Sequence, residues 1–271
     1  MMKSWRHMTL VLLTLVYAVN FIDRQIVSIL MPQLRSEFHI SDTMLGLLAG
    51  PMFALFYSFV GVPVALLADR VGRKRVIVAS LACFSCVTFA SGLVARFWQL
   101  LLTRTFTGIG EAGTGPAAQS IIADLYRGRQ RVTAQAIYAT GVNLGIMAAF
   151  FFGGWIAQSW GWRATFMAAG IPGILLTAII ALLLREPKLH DRDQSRTDVP
   201  RPSFAGVAQQ LWRSRAYRWI ACGAAMTCFT GYATVSFFPS FLARSHHLGP
   251  ASIGLSMALT VGLGGAIATA S

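Results

Sequence analysis

The sequence predicts an all-α membrane protein, and three observations support that fold class. Of the 271 residues, 55% are hydrophobic and only 12% are charged, whereas a soluble domain carries about 25% charged residues. The apolar residues form runs of about 20 or more, which is the helix length that crosses a hydrocarbon core. Most Lys and Arg residues lie in every second connection between these runs, which is the pattern of cytoplasmic loops.

Eight apolar segments predict eight membrane-spanning helices. We expect a six-helix bundle in residues 1–187, a basic cytoplasmic linker with an amphipathic helix in residues 188–216, and the start of a second bundle in residues 217–271. The predicted spans lie at about residues 8–31, 44–67, 76–95, 97–125, 133–157, 164–184, 217–243 and 251–271.

The net charge of +13 does not indicate nucleic-acid binding, because the basic residues alternate between loops instead of forming one patch. The C-x-x-C pattern at Cys83 and Cys86 lies inside an apolar run, which favours buried packing over a metal or redox site. We therefore expect no cofactor and no metal. The H-E-x-x-H and G-x-S-x-G motifs of hydrolases are also absent, so we predict that the chain is not an enzyme.

The first apolar segment contains three polar residues, Asn20, Asp23 and Arg24. Ionisable groups inside a membrane are costly unless they are paired or face water, so they indicate function. The alternative is a structural ion pair, or a helix end that has already reached the membrane surface.

The fourth segment contains Arg104 and Glu111 on one helical face. They are seven residues and about 10 Å apart along the axis, so each needs a partner elsewhere. Asp23 and Arg104 fall at similar depths when both helices are measured from their starts, which predicts that they pair. Arg24 is then available to a cavity, and Glu111 lies below. On this basis Asp23→Asn is expected to lower transport more than expression, and equal loss of both would favour a structural role.

Two further groups of polar residues are candidates for function. Tyr138 and Asn143 on the fifth segment can line a cavity. Asp124 and Arg127 close the basic end of the fourth segment, where they either hold a gate or form a solvated charged surface. The G-x-G-x-x-G pattern from Gly108 to Gly113 is not a dinucleotide site, because no strand precedes it.

Several motifs resemble those of the major facilitator superfamily. Leu67–Arg75 resembles its signature between the second and third helices, and Arg104-x-x-x-Gly108-x-Gly110 resembles its fourth-helix motif. Gly161-Trp162-Arg163-x-x-Phe166 is also typical. Within the superfamily the chain resembles spinster-like transporters, and the residues that carry this resemblance include Asn20–Arg24, Ile40–Asp42, Gly108–Ala112, Ile121–Leu125, Ala136–Tyr138 and Phe238–Leu242.

The resemblance implies a secondary transporter that alternates access between two six-helix bundles. It implies that Asp69, Arg70, Gly72 and Arg73 belong to a cytoplasmic gate. It also implies that the ionisable residues of the first and fourth segments line a cavity for substrate and protons, and these are Asp23, Arg24, Arg104 and Glu111.

The expected partners are a lipid-like or other small-molecule substrate, protons and membrane lipids. The resemblance also implies a monomer, if the protein is full length, in a bacterial inner membrane with a cytoplasmic N-terminus. Two alternatives stay open. One is a symporter of sugar acids, since those relatives also carry Gly-Glu-Ala in the fourth helix. The other is a truncated membrane protein that does not transport, because about four of twelve helices are missing from the sequence.

Overall fold

The computed structural model describes residues 2–186 and 204–270, and every regular element in those ranges is helical. Their bounds are α1 Met2–Phe38, α2 Asp42–Ala49, α3 Pro51–Val71, α4 Arg73–Ser91, α5 Phe97–Glu111, α6 Thr114–Leu125, α7 Arg129–Leu183, α8 Phe204–Arg213, α9 Arg215–Ser245, α10 Pro250–Met257 and α11 Gly264–Ala270, with a π-helical segment Ala258–Leu263 between the last two. Within the described ranges, six helices are long and apolar enough to cross a membrane. The predicted fold class is confirmed.

The longest helix, α7, contains two spans. Its 55 residues would extend about 80 Å as one straight helix, which is more than twice a hydrocarbon core. Gly161 interrupts it with φ 77° and ψ 177°, a positive φ that favours glycine. Before Gly161 the helix runs parallel to α1, because Gly141 packs against Thr14 and Gly153 against Ile26.

After Gly161 the chain runs back along α1. Trp162 contacts Glu37 near the end of α1, and Gly173 packs against Val19 further back. The reversal therefore lies where the sequence predicts a connection between the fifth and sixth spans.

Two predicted spans are each divided into two helices. The second is broken at Gly50, which leaves helical geometry with φ −135° and ψ −69° and is followed by Pro51 at the start of α3. The fourth is broken between α5 and α6 at Ala112 and Gly113. Gly113 packs closely on Val64, since a Cβ at this position would lie 2.8 Å from a Val64 methyl group. Small residues and proline permit such breaks in membrane helices when neighbouring helices pack closely.

Helix α1 is the centre of the bundle, and its two halves belong to different apolar cores. Leu13 and Val16 pack with residues of α4, α6 and α7. Leu30 and Leu34 pack with residues of α2, α5, α7 and α10. Between these cores lies a buried polar layer, which contains Asn20 and Asp23.

The two ends of the bundle differ in charge. We call the end that carries Arg6, Arg73 and the α6–α7 connection with Arg127 the basic end, and the end that carries Asp42 and Arg163 the opposite end. Helix α8 lies in the predicted linker, and Val207 and Leu211 of its expected apolar face are exposed. Residues 188–203 of that linker lie outside the described residues. The division into two bundles stays a prediction.

Candidate functional site

A buried ion pair joins α1 to α5 in the polar layer. Arg104 donates through Nη2 to Asp23 Oδ2 at 2.5 Å and through Nη1 to Oδ1 at 3.2 Å. Thr88 of α4 also donates to Asp23 Oδ1. Both charged side chains are only 2% exposed, and each carboxylate oxygen has a donor. The predicted pairing of Asp23 with Arg104 is confirmed.

A second ion pair lies one residue further along α1. Arg24 donates through Nε to both oxygens of Glu111, at 3.0 and 3.2 Å. Glu111 is completely buried, whereas the Arg24 side chain is 15% exposed. No described residue accepts a hydrogen bond from Arg24 Nη1 or Nη2, so the N–H donors of these two nitrogens remain available to a ligand.

Three aromatic rings surround the Arg24 guanidinium. Its central carbon lies 5.1 Å from the centre of the Phe21 ring and 4.8 Å from the centres of both Phe53 and Tyr57. Cation–π contacts of this kind are favourable when desolvated. The rings therefore fix the position of the positive charge without neutralising it.

Asn20 extends the polar layer toward the basic end. Its amide nitrogen donates to Thr114 Oγ1 at 2.6 Å, and that hydroxyl donates to the Glu111 carbonyl oxygen at 2.8 Å. Asn20 Oδ1 is buried and has no partner among the described residues. The backbone that carries Glu111 is thus held to α1 by a side-chain contact.

Arg24 faces a cavity of about 660 Å³ that lies between α1, α2, α3, α5 and α9. Gln25 and Arg104 also line it, so one wall is polar and cationic. Much of the remaining wall is formed by aromatic side chains, which are Phe53, Tyr57, Phe229, Tyr232 and Phe237. A cavity of this volume can hold a drug-sized molecule. Among the described residues, no group of three or more His, Cys, Asp or Glu side chains is arranged to bind a metal ion.

At the basic end, Arg73 connects three parts of the bundle. Its guanidinium pairs with Asp124 at the end of α6 and donates to the Ser120 carbonyl oxygen at 3.4 Å. Its backbone N–H donates to Glu186 Oε1 at 2.7 Å. Gly72 precedes it with φ 106°, and a Cβ there would lie 2.8 Å from Glu186 Oε2. Glycine is therefore required at this turn.

The other predicted gate residues lie around this cluster. Arg70 and Arg127 are exposed, and neither has an ion-pair partner among the described side chains. The side chain of Asp69 lies outside the described residues.

Exposed ion pairs hold the opposite end together. Arg244 of α9 donates to both oxygens of Asp42, at 2.6 and 2.9 Å, and Arg35 of α1 lies 3.4 Å from the same carboxylate. Glu37 accepts from Trp162 Nε1 at 2.8 Å and from Arg163 at 2.5 Å. These contacts join α1, α2, α7 and α9.

The sequence model of the Major Facilitator Superfamily matches residues 13–271. The chain belongs to this superfamily. It is therefore an integral multi-pass membrane protein, as the apolar helices indicate.

Several superfamily members are similar in sequence. An MFS-type efflux pump of Mycolicibacterium smegmatis is 29% identical over 92% of this chain and 57% of its own length. Protein spinster homolog 1 of Xenopus tropicalis is 28% identical over 90% and 48% of the two chains. A probable galactarate/D-glucarate transporter of Escherichia coli is 30% identical over 69% and 43%. The chain thus spans about half the length of the curated relatives it matches.

Two solved structures are similar in both sequence and fold. They are a bacterial homolog of the human lysosomal transporter Spinster in inward-facing unoccupied and occupied conformations. The unoccupied form has a TM-score of 0.86 at 33% identity and covers 96% of this chain and 60% of its own. The occupied form has a TM-score of 0.83 at 34% identity, covering 95% and 58%. The predicted spinster-like character is confirmed.

Four predicted cavity residues of this MFS chain do not line the cavity that Arg24 faces, and these are Asp23, Glu111, Tyr138 and Asn143. Asp23 and Glu111 are connected to it only through their ion pairs with Arg104 and Arg24. Tyr138 stacks on Tyr17 with ring centres 4.5 Å apart and is buried in the core near the basic end. Asn143 lies close to Gly265 of α11. Neither lines the 660 Å³ cavity.

Several residues at the site were not identified from sequence. Phe53 and Tyr57 are four residues apart and so share one face of α3, which was an available signal. No sequence pattern identified the other three residues, because each contacts a partner on a distant segment of the chain. They are Thr88, Thr114 and Glu186.

Proposed function

We propose that this chain is part of a secondary transporter that moves an anionic amphiphilic solute by alternating access, coupled to protons. The observation that carries the proposal is the position of Arg24. It is a partly exposed cation on the wall of a large cavity, and its only carboxylate partner among the described residues is the buried Glu111. Arg24 lies in the middle third of α1, and secondary transporters bind substrate near the midplane of the membrane.

Arg24 supplies the recognition of an anion. The two Nη amines that Glu111 leaves unused can form charge-assisted hydrogen bonds with a carboxylate or phosphate. The second cation on this wall, Arg104, has both carboxylate oxygens of Asp23 as partners. It therefore contributes positive electrostatic potential to the cavity but offers fewer free hydrogen-bond donors to a ligand than Arg24.

The aromatic wall favours an amphiphile over a polyhydroxylated solute. Phe53, Phe229 and Phe237 offer apolar surface and no hydrogen-bonding groups. A sugar acid would leave hydroxyls without partners against these rings, which is costly. The transport of sugar acids is still the second candidate, because a relative described as a galactarate/D-glucarate transporter is 30% identical.

Proton coupling follows from competition for Arg24. A substrate anion on the Nη groups competes with Glu111 for the positive charge, and when it draws the guanidinium away, Glu111 loses its charged partner while it remains completely buried. A buried carboxylate without a partner is strongly unfavourable, and taking up a proton removes that penalty. Anion binding and protonation of Glu111 therefore favour each other.

The two ends of the bundle supply the gates in this proposal. We assign the basic end to the cytoplasm of a bacterial inner membrane, with the N-terminus on that side, because basic loops are retained there. Asp69, Arg73 and Asp124 would hold the cytoplasmic gate. Asp42 and Arg244 would close the opposite end, and their separation would accompany opening outward.

A flux assay with the complete product of the gene in liposomes tests the substrate class. We expect uptake of a single-chain lysophospholipid that a sugar acid such as galactarate does not inhibit. Uptake of galactarate without lysophospholipid uptake would contradict the amphiphile proposal and support the second candidate. Uptake of neither would contradict both.

A further inference from the structure

A second cavity, of about 520 Å³, opens at the basic end between α1, the α6–α7 loop and the start of α7. Its polar wall contains Arg6, His7, Gln130 and Thr133, and none of the residues that line it is acidic. Arg6 is 18 residues before Arg24 on α1, which places the two about 27 Å apart. This cavity is therefore separate from the one that Arg24 lines.

The Arg6 guanidinium is held in place without being neutralised. It stacks over the Tyr126 ring at 4.7 Å, and the Tyr126 hydroxyl donates to the Arg6 carbonyl oxygen at 3.0 Å. The His7 ring centre lies 6.4 Å from that of Tyr126. Arg6 Nε is buried without a hydrogen-bond partner, and no carboxylate in the described ranges pairs with Arg6.

The rest of the cavity is apolar and leads to the surface of the bundle. Leu10 and Ala134 are buried beside the polar wall, while Ile137 lines the cavity and is 43% exposed. Ile137 lies about two turns into α7, a helix that is long and apolar enough to cross a membrane, so we infer that its exposed face meets lipid. The cavity thus combines a cationic wall with an apolar path into the bilayer.

We propose that this cavity binds the anionic headgroup of an amphiphile, with its acyl chain lying along Ile137. Arg6 and Gln130 carry hydrogen-bond donors suited to a phosphate or carboxylate. The basic end faces the leaflet that is rich in anionic lipids if it is cytoplasmic. The occupant is either a membrane phospholipid or a single-chain amphiphile, which share this chemistry. The proposal concerns binding only and does not depend on transport.

Photolabelling of the protein in a neutral detergent tests the proposal. The probe is a single-chain alkyl phosphate with a diazirine near its headgroup, and labelled peptides are identified by mass spectrometry. We expect labelling within residues 130–137, and a loss of about fivefold or more in Arg6→Gln, since one basic residue near an anionic surface contributes about that factor. Arg131→Gln is the matched control. It removes the same charge from an exposed residue in the first turn of α7 and should leave labelling unchanged.

A second variant protects the test against misfolding of Arg6→Gln. Ile137→Trp narrows the apolar path without changing charge and should also reduce labelling. Equal labelling of Arg6→Gln and the wild type by the alkyl phosphate would overturn the proposal. Labelling of the wild type by a neutral alkyl probe to the same extent as by the alkyl phosphate would also overturn it.

Competitors identify the source of the ligand. Protection by phosphatidylglycerol assigns the cavity to a membrane phospholipid, and protection only by single-chain phosphates assigns it to a smaller amphiphile. Both results support the proposal. Protection by inorganic phosphate at the same concentration would contradict it, because the apolar path would then contribute nothing.

Discussion

Asp23 and Arg24 are neighbours on α1, but their ion pairs have different surroundings. Asp23 and Arg104 are each 2% exposed and are joined by two hydrogen bonds, with a third from Thr88. In the other pair, Arg24 is 15% exposed, lines a cavity and has amines to spare. The comparison shows that a charge in the membrane does not indicate function by itself. What distinguishes the two pairs is whether one partner remains accessible to a ligand.

The largest effect is expected from removing one partner of the Asp23–Arg104 pair. Arg104→Met leaves Asp23 buried with only Thr88 as a partner, and removal of one partner from a buried pair costs about 3–5 kcal/mol. Thermal unfolding in detergent should show a large loss of stability. The matched control is the double variant Asp23→Leu/Arg104→Met, which removes both charges and should recover part of the loss. A single variant as stable as the wild type would contradict the structural role of this pair.

The contacts of Asp23 also change the expectation for Asp23→Asn. From sequence, this variant is expected to lower transport more than expression. With two donors from Arg104 and one from Thr88, the structure favours a comparable loss of both.

The next largest effect is expected from Arg24→Gln. This variant removes the cation on the cavity wall whose two Nη groups have no partner among the described residues, and charge-assisted hydrogen bonds contribute enough that substrate affinity should fall about tenfold or more. Folding should suffer less than in Arg104→Met, because Glu111 can become neutral by taking up a proton. Arg129→Gln, an exposed arginine at the start of α7, is the matched control. Affinity that is unchanged in Arg24→Gln would remove Arg24 from substrate recognition.

The smallest effect is expected at the opposite end. Asp42 and Arg244 are each more than 40% exposed in their side chains, so water and salt screen their attraction. Asp42→Asn should change thermal stability little, and that change should shrink as salt is added. A loss of thermal stability in Asp42→Asn as large as that in Arg104→Met would show that solvent exposure does not determine how much an ion pair contributes to stability.

The sequence allowed the Asp23–Arg104 pair to be predicted, but not the pairing of Arg24 with Glu111. Depth along each helix brought Asp23 and Arg104 to one level. The same estimate placed Glu111 well below Arg24, because it treated residues as points on an axis. Side chains on a helix lean toward its N-terminus, and on α1 this carries the long Arg24 side chain down toward Glu111.

The cavity walls could not be predicted, for a different physical reason. Phe53 and Tyr232 lie on α3 and α9, and they line one cavity only because of how those helices are placed around α1. The break at Gly50 was equally hidden, since glycine and proline are common in unbroken membrane helices. The spans themselves were predictable, because membrane thickness fixes helix length.

The central claim is that a substrate anion on Arg24 and a proton on Glu111 bind together at one site. The most direct measurement is substrate-driven proton movement in liposomes that contain the complete gene product, comparing the wild type with Glu111→Gln. We expect lysophospholipid addition to move protons with the wild type, and the variant to bind substrate but move none. Proton movement that persists in Glu111→Gln, or substrate transport by the wild type that is independent of pH, would contradict the account.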